Sequence, residues 1–528
     1  MDTETLRKKI LDLAIRGKLV PQDPNDEPAS VLLERIRAQK AQMVKDGKLK
    51  AKDVKNDTII YVGEDNLHYE KFADGTIKCI EDEIPSEVPE GWAWARLKNI
   101  TLSIRDGSHN PPIDKGHGIP MLSAVNINNN IINIHGATRW VTEEEWEIEN
   151  KRTNIALGDV LLTIVGTIGR SAVVETDEHF ALQRSVSVLK PCMISSFYLM
   201  YILQTPYVFK WLNENSKGTA QKGIYLNTLS TLMIPIPPLN EEQEIVKILE
   251  NSNESIIHIE KSKDYLFNLT SMARSKILDL AIRGKLVPQD EQDEPASVLL
   301  ERIRAEKEEL IRQGKIKRNK KESVIYRGAD NSYYERFADG SEKCIDEEIP
   351  FEIPGSWLFV RLKEIGSIIG GGTPRTSNES YWDGNINWIT PADLSNHSNI
   401  YISHGSRSIT ELGLKDSSAT LMPAHTVLYS SRAPIGHIAI AANALATNQG
   451  FKSVVPHDTR MSLFVYFCLK ERAPSIVLRA TGTTFKEISG TAMAETIVPL
   501  PPLREQKRIC NKIRSLFTLL ENMHQIID

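Results

Sequence analysis

The run KILDLAIRGKLVPQD occupies residues 9–23 and returns, letter for letter, at residues 276–290. The identity resumes as DEPASVLLERIRA at 26–38 and 293–305, at the same offset of 267 residues. A period this long in a chain of 528 residues means two copies of one large unit and rules out a solenoid of short repeats. Any fold for this chain must use one frame twice.

Each copy opens with the spacing of an amphipathic helix. Leu6, Ile10, Leu13 and Ala14 predict a helix from Thr5 to Gly17, with Gly17 as its C-cap. A turn rich in proline and acid follows, and a second helix is expected from Pro28-Ala29 or Ser30 to Asp46-Gly47, the pattern repeating over 272–314. After a basic linker, blocks starting at Tyr61 and Tyr326 contain Asp74-Gly75 and Asp339-Gly340, which read as hairpin turns. Pro85, Pro89, Pro350 and Pro354 keep the next segments extended, and Trp92 and Trp357 are expected in the core.

The copies then diverge. Residues 101–233 and 366–497 share only a skeleton: a strand-like run ending in a glycine turn, a glutamine pair, and a loop that opens on Gly-Thr. Both inserts close on a proline exit, at 234–239 and 498–503. Beyond the first exit, Ile245, Leu249, Ile256, Ile259, Leu266, Ile277 and Leu280 fall near heptad positions, and residues 241–284 would form a helix of ~66 Å. Aligning Gln506 with Gln243 sets Asp528 against residue 265, while Met1 corresponds to residue 268. The terminal helices together would thus rebuild the central one except for two residues, and meeting termini would close a ring with a pseudo-two-fold axis.

Composition narrows the classes. The chain is 41% apolar and 25% charged, as in folded globular domains. It has no run of eighteen apolar residues, and MDTETLRKKI lacks the apolar core of a leader, so a cytoplasmic protein is expected. The five cysteines form no metal-binding spacing, and Cys79 and Cys344, equivalent in the two copies, are expected as buried small residues. A net charge of −5 requires any nucleic-acid contact to be made through focused patches or with a basic partner.

Catalytic patterns are missing. Asn110-Pro111-Pro112-Ile113 lacks the aromatic fourth residue that stacks on a flipped adenine. Gly370-Gly371-Gly372-Thr373-Pro374 lacks the Gly-Lys-Ser/Thr ending of a phosphate loop and is expected to be a mobile surface loop. Side chains suited to DNA, however, sit in matching places. The first insert has Arg105, Ser108, His109, Asn110, Arg170, Gln183, Arg184, Lys217, Thr219, Gln221 and Lys222. The second has Arg375, Thr376, Ser431, Arg432, Asn448, Gln449, Thr483 and Lys486. Arginine on guanine and asparagine or glutamine on adenine are the bidentate pairs of the major groove; lysine, serine and threonine hold phosphates.

KILDLAIRGKLVPQ, EPASVLLERI, the entry from Ile84-Pro85 to Ile100 and Ile349-Pro350 to Ile365, and the IPPL and LPPL exits with their Glu-Gln helices resemble the specificity subunits of type I restriction-modification systems. The resemblance implies an α+β chain in which two α/β target-recognition domains are separated by long antiparallel helical, coiled-coil spacers with pseudo-two-fold circular symmetry. The implied limits are a split distal spacer at 1–50 and 503–528, recognition domains at 51–238 and 316–502, and a central spacer at 239–315. Each domain would read half of a bipartite asymmetric DNA site. Two modification (adenine methyltransferase) subunits would bind the spacers, through Ile10, Leu13, Leu32 and their copies Ile277, Leu280 and Leu299, and restriction/translocase subunits would join them. S-adenosylmethionine, ATP and magnesium would belong to those partners, leaving this chain without cofactor, metal or catalysis. A duplicated coiled-coil adaptor that binds proteins is the alternative.

Overall fold

The computed structural model describes residues 2–527 apart from 219–221, 315, 317, 319–321, 396, 433 and 483–485. Thr219, Gln221 and Thr483 therefore lie outside the described residues, as do Met1 and Asp528, where the seam of the ring was expected. The chain divides into two compact units, Met1–Lys263 and Asp264–Asp528. One helix, Leu239–Ile282, runs 44 residues through that division, ~66 Å as its heptads required.

In the first unit the helix Thr3–Ile15 begins on Asp2, whose carboxylate accepts the Thr5 N–H at 3.1 Å. Arg7 lies 3.7 Å from Glu260, and Asn240 donates to Asp26 at 2.6 Å, so the N-terminal segment runs antiparallel to the first half of the long helix. Leu11, Ala14 and Ile15 pack with Ile245 and Leu249, and with Leu32 and Ile36 of the helix Ala29–Lys45. The second unit repeats this with its own pieces. Arg274 pairs with Glu521 at 3.2 Å and lies over the Phe517 ring, and Arg508 meets Asp293 at 2.6 Å. The helix Leu503–Ile527 is thus antiparallel to the second half of the long helix.

A joint ties each domain to its helices. The Trp92 indole N–H donates to Glu241 at 2.8 Å, and Trp357 donates to Glu505 at 2.9 Å. Gly17 and Gly284 turn away from their helices at φ of +60° and +67°, and a Cβ on either would fall 2.4 or 2.5 Å from Pro89 or Pro354. The joint also corrects the alignment of the long helices. Glu241 matches Glu505, so Gln506 corresponds to Glu242 and not to Gln243, and the terminal helices lack equivalents of residues 265–267 rather than of two residues.

The strand that follows each entry pairs with the proline exit, Trp94 opposite Pro235 and Phe359 opposite Pro499. Strand Ala93–Arg96 is antiparallel to Met233–Ile236, and Leu358–Arg361 to Ile497–Leu500; ladders of only two strands leave room for prolines at an edge. The expected hairpins are three-stranded sheets, Ile59–Val62, His68–Lys71 and Ile77–Cys79, with Ser323–Arg327, Tyr333–Phe337 and Glu342–Cys344 as the copy. Buried Arg96 fastens the first to the domain through Glu70 at 2.7 Å and Glu83 at 2.6 Å, and Arg361 does so through Glu335 and Glu348. Cys79 and Cys344 are exposed, contrary to expectation. They end outer strands whose residues are all exposed, and the core position goes to the next residue, Ile80 or Ile345.

The divergent inserts share a core sheet. In the first, Ser171–Val173, Val160–Thr163, Val186–Pro191 and Thr101–Asp106 lie in that order, all antiparallel. In the second, Gly366–Gly370, Lys452–Pro456, Val427–Tyr429 and Ile438–Ala441 do the same, with Tyr401–Ile402 added. A second small sheet packs beside each, built on Ile119–Leu122 and on Trp382–Ile389.

The corrected register exposes an asymmetry. Glu242 is 1% exposed; burial pushes its carboxyl from an ordinary 4.5 to about 7, against the Ser195 N–H it accepts at 2.7 Å. Gln506, equally buried, donates to the Pro501 carbonyl at 2.9 Å. A carboxyl raised on folding leaves full stability below 4.5 and loses it as pH climbs through 7, because the unfolded chain releases its proton first. Glu242→Gln should therefore stabilise the chain against urea at pH 8 by roughly 3 kcal/mol and change little at pH 4.5. An equal effect at both pH values would assign the gain to packing.

Candidate nucleic-acid interface

Four backbone segments meet at one end of each core sheet, held by the same hydrogen bonds. The loop after the first strand docks on the glutamine pair: Ser108 N–H donates to Leu182 at 2.7 Å, and Gly372 N–H to Thr447 at 2.9 Å. The post-strand turn docks there too, with Ile164 N–H to Ser185 at 2.9 Å and Ser431 N–H to Gly450 at 2.7 Å. A finger loop closes through Lys217 and Gly223 at 2.8 and 2.9 Å, or Thr481 and Glu487 at 3.1 and 2.9 Å, and leans on the turn at Val165 or Arg432. Close approach explains two glycines. A Cβ on Gly107 would lie 2.2 Å from the Leu182 carbonyl, and one on Gly371 would lie 1.9 Å from that of Asn448. Gly371 and Gly372 are thus packing positions and not the mobile loop expected.

The expected residues separate into groups. His109, Asn110, Arg184, Lys217 and Lys222 are exposed on the first domain's loops, with Gln183 half-buried beside Ser108. Arg170 is half-buried and donates to Asn128 at 3.0 Å. Arg375, Thr376, Arg432, Gln449 and Lys486 are exposed on the second domain, and Gln449 accepts from Thr373. Asn448 turns its carbonyl oxygen to the Gly450 N–H at 2.9 Å. Arg170 and Arg432 share the turn but not a position: by the bridges, Arg432 corresponds to Val165, and His437 to Arg170.

Other placements depart from the expectation. Arg105 alternates to the opposite strand face from Asp106 and pairs with Asp53 at 2.8 Å. Ser108 and Ser431 are buried, the latter with its hydroxyl lacking a partner among the described residues. Leu32 and Leu299 are each 1% exposed inside their cores and offer no surface to a partner, because their helices turn these positions inward. Ile10 and Ile277 line the same cores, while Leu13 and Leu280 remain half-exposed.

Sequence reasoning missed several charged groups at the site. Asp106 accepts from His109 at 2.7 Å and from Arg152 of the helix Glu143–Thr153. Glu487 binds Arg432 at 2.9 Å and Lys452 at 3.1 Å; burial opposes its ionisation, but these two cations hold its carboxyl below the ordinary range. Asp106 and His109 are only three residues apart, but Arg152, Arg432 and Lys452 are distant from their carboxylates, and only the fold brings them together.

Two domains of shared frame and different loop chemistry, each joined to an antiparallel helix pair, define a duplicated scaffold. The chain belongs to the type I restriction modification DNA specificity family, whose domain model matches residues 89–265 and 354–528. It is thus a specificity component and not the catalytic one. The MjaIX specificity subunit of Methanocaldococcus jannaschii is 42% identical over 173 residues, covering 32% of this chain and 40% of that protein. The EcoAI specificity subunit of Escherichia coli is 27% identical over 99% of this chain and 90% of its own length. A solved chain, described under complex assembly and conformational transition of the type I R-M system, shares the fold at a TM-score of 0.52 and 18% identity, covering 84% of this chain and 94% of that one. No described helix is long and apolar enough to cross a membrane.

The close-packed glycine gives a direct check on the second site. Gly371→Ala should cost ~1–3 kcal/mol of stability, from overpacking, and displace the Asn448-Gln449 pair. Gly370→Ala, where nothing lies within 4 Å, should be silent in the same thermal melt.

Proposed function

We propose that the two domains read the two halves of a split, asymmetric duplex site, and that the helical pairs recruit two identical modification subunits. The observation that carries this reading is a single loop frame built twice with different side chains: His109, Arg184 and Lys217 in one, Thr373, Gln449 and Thr481 in the other. A frame kept constant while its contact residues change is what two readers of unlike sequence require. The repeated segments, by contrast, offer two like surfaces for two like partners. Leu13 and Leu280 stand half-exposed at equivalent places on them.

In this reading the modification subunits bring S-adenosylmethionine and transfer the methyl group to adenine, and restriction subunits bring ATP and magnesium. Their positive surface would also offset the net charge of −5, since duplex binding depends on neutralising phosphates.

Selection from a random duplex library by the chain assembled with its modification subunits should return two conserved blocks at a constant separation, with affinity falling steeply as salt rises. A single block, or binding without preference, would reject the two-reader assignment. Leu13→Asp and Leu280→Asp should each weaken capture of the modification subunit roughly tenfold without lowering the melting temperature. Unchanged capture in a pull-down would move the partner face elsewhere.

A further inference from the structure

Each domain pairs an arginine with a carboxylate by the corner where finger loop and turn meet: Arg432 and Glu487 lie on that corner, and Arg152 and Asp106 line a cleft that Val165 and Gly223 also line. In the first, Arg152 donates to Asp106, which also binds His109 at 2.7 Å. In the second, Arg432 donates to Glu487 at 2.9 Å, and Glu487 also binds Lys452 at 3.1 Å. The corner is the same by its bridges, since Gly223 pairs with Val165 and Lys217 where Glu487 pairs with Arg432 and Thr481. The residues are not. One arginine comes from the helix Glu143–Thr153 and the other from the turn; one carboxylate ends a strand and the other sits on the finger. Descent from a duplicated ancestor would leave the same residues in the same places. A constellation rebuilt from different residues points to a demand of chemistry.

That chemistry is more specific than attraction to DNA. A carboxylate beside a guanidinium offsets charge that a phosphate would seek, less so in the second domain, where Lys452 shares Glu487, so a paired arginine makes a weaker backbone clamp than a free one. A guanine edge asks instead for two N–H donors in fixed geometry, aimed at the uncharged acceptors N7 and O6. Both arginines retain such donors. Arg152 commits one Nη to Asp106, Arg432 commits its Nε to Glu487, and their side chains are 46% and 45% exposed. In the first domain a cleft of about 510 Å³, bordered by Arg184, Lys217 and Tyr225, leaves room for a base edge beside Arg152.

We propose, on the DNA-reading assignment made above, that Arg152 and Arg432 each read a guanine in their own half-site, with Asp106 and Glu487 as the positioning residues that aim them. Lysine retains the charge but not the planar fork, so Arg152→Lys and Arg432→Lys separate the two kinds of contact.

The test is library selection with the complete complex of this chain and its modification subunits. Wild type should select a guanine in each half. Arg152→Lys should lower the preference at one position of the first half roughly ten- to hundred-fold, leaving the second half unchanged as the internal control for folding. Arg432→Lys should do the converse, and Asp106→Asn and Glu487→Gln should relax the same positions as their arginines. A variant complex that keeps its guanine preference overturns the inference while leaving the two-reader assignment intact. So does uniform weakening on every sequence with a shallower salt dependence, which is the signature of a phosphate contact. A wild-type complex without bipartite preference would defeat the assignment itself.

Discussion

The architecture depends on a buried hydrogen bond between an indole and a carboxylate, made once in each unit. Trp92 and Trp357 enter from the turns that follow Pro89 and Pro354, Glu241 and Glu505 from the first turns of the long helices, and the two prolines seat against glycines that end the repeated helices. Burial pushes both carboxyls upward, and the indole N–H counters part of that cost. Because tryptophan, proline and glycine meet at one point, the domain cannot shift along its helices without breaking all three contacts. The joint therefore fixes where each loop site stands relative to its own helix pair.

This rigidity explains the pattern of change between the two copies. Residues that build the joint, the helices and the buried Arg96 and Arg361 networks recur, because each touches several partners whose shapes constrain one another. Exposed loop residues at the sheet end, such as His109 and Arg184 against Thr373 and Gln449, do differ, while the backbone hydrogen bonds beneath them are kept. A duplicated protein can thus carry two unlike sets of loop side chains on one frame.

Much of this was legible in the sequence because it is local or repeated. Helical spacing located Thr3–Ile15, Ala29–Lys45 and Leu239–Ile282 to within a few residues, and Asp-Gly pairs located the hairpins. Trp92 and Trp357 were recognisable as core residues, though their carboxylate partners, about 150 positions away, were not. Errors arose where long-range packing decides. Pattern alone placed Cys79 and Cys344 inside, but the exposed outer strand leaves them out. Glycine content suggested mobility at Gly371, where backbone contact requires glycine. Polarity marked Ser431 as a reader, although it is buried. Arg152 escaped notice because nothing within its helix distinguishes it; only Asp106, 46 residues earlier, gives it a role.

The central claim is that each insert reads one half-site independently on a common frame. Its most direct test is to replace residues 101–233 with the corresponding insert of another family member and to map methylated adenines across the genome of cells expressing the assembled complex. The account predicts a bipartite site in which one half changes to that of the donor, while the other half and the gap between them stay as they were. Loss or alteration of both halves together would contradict it.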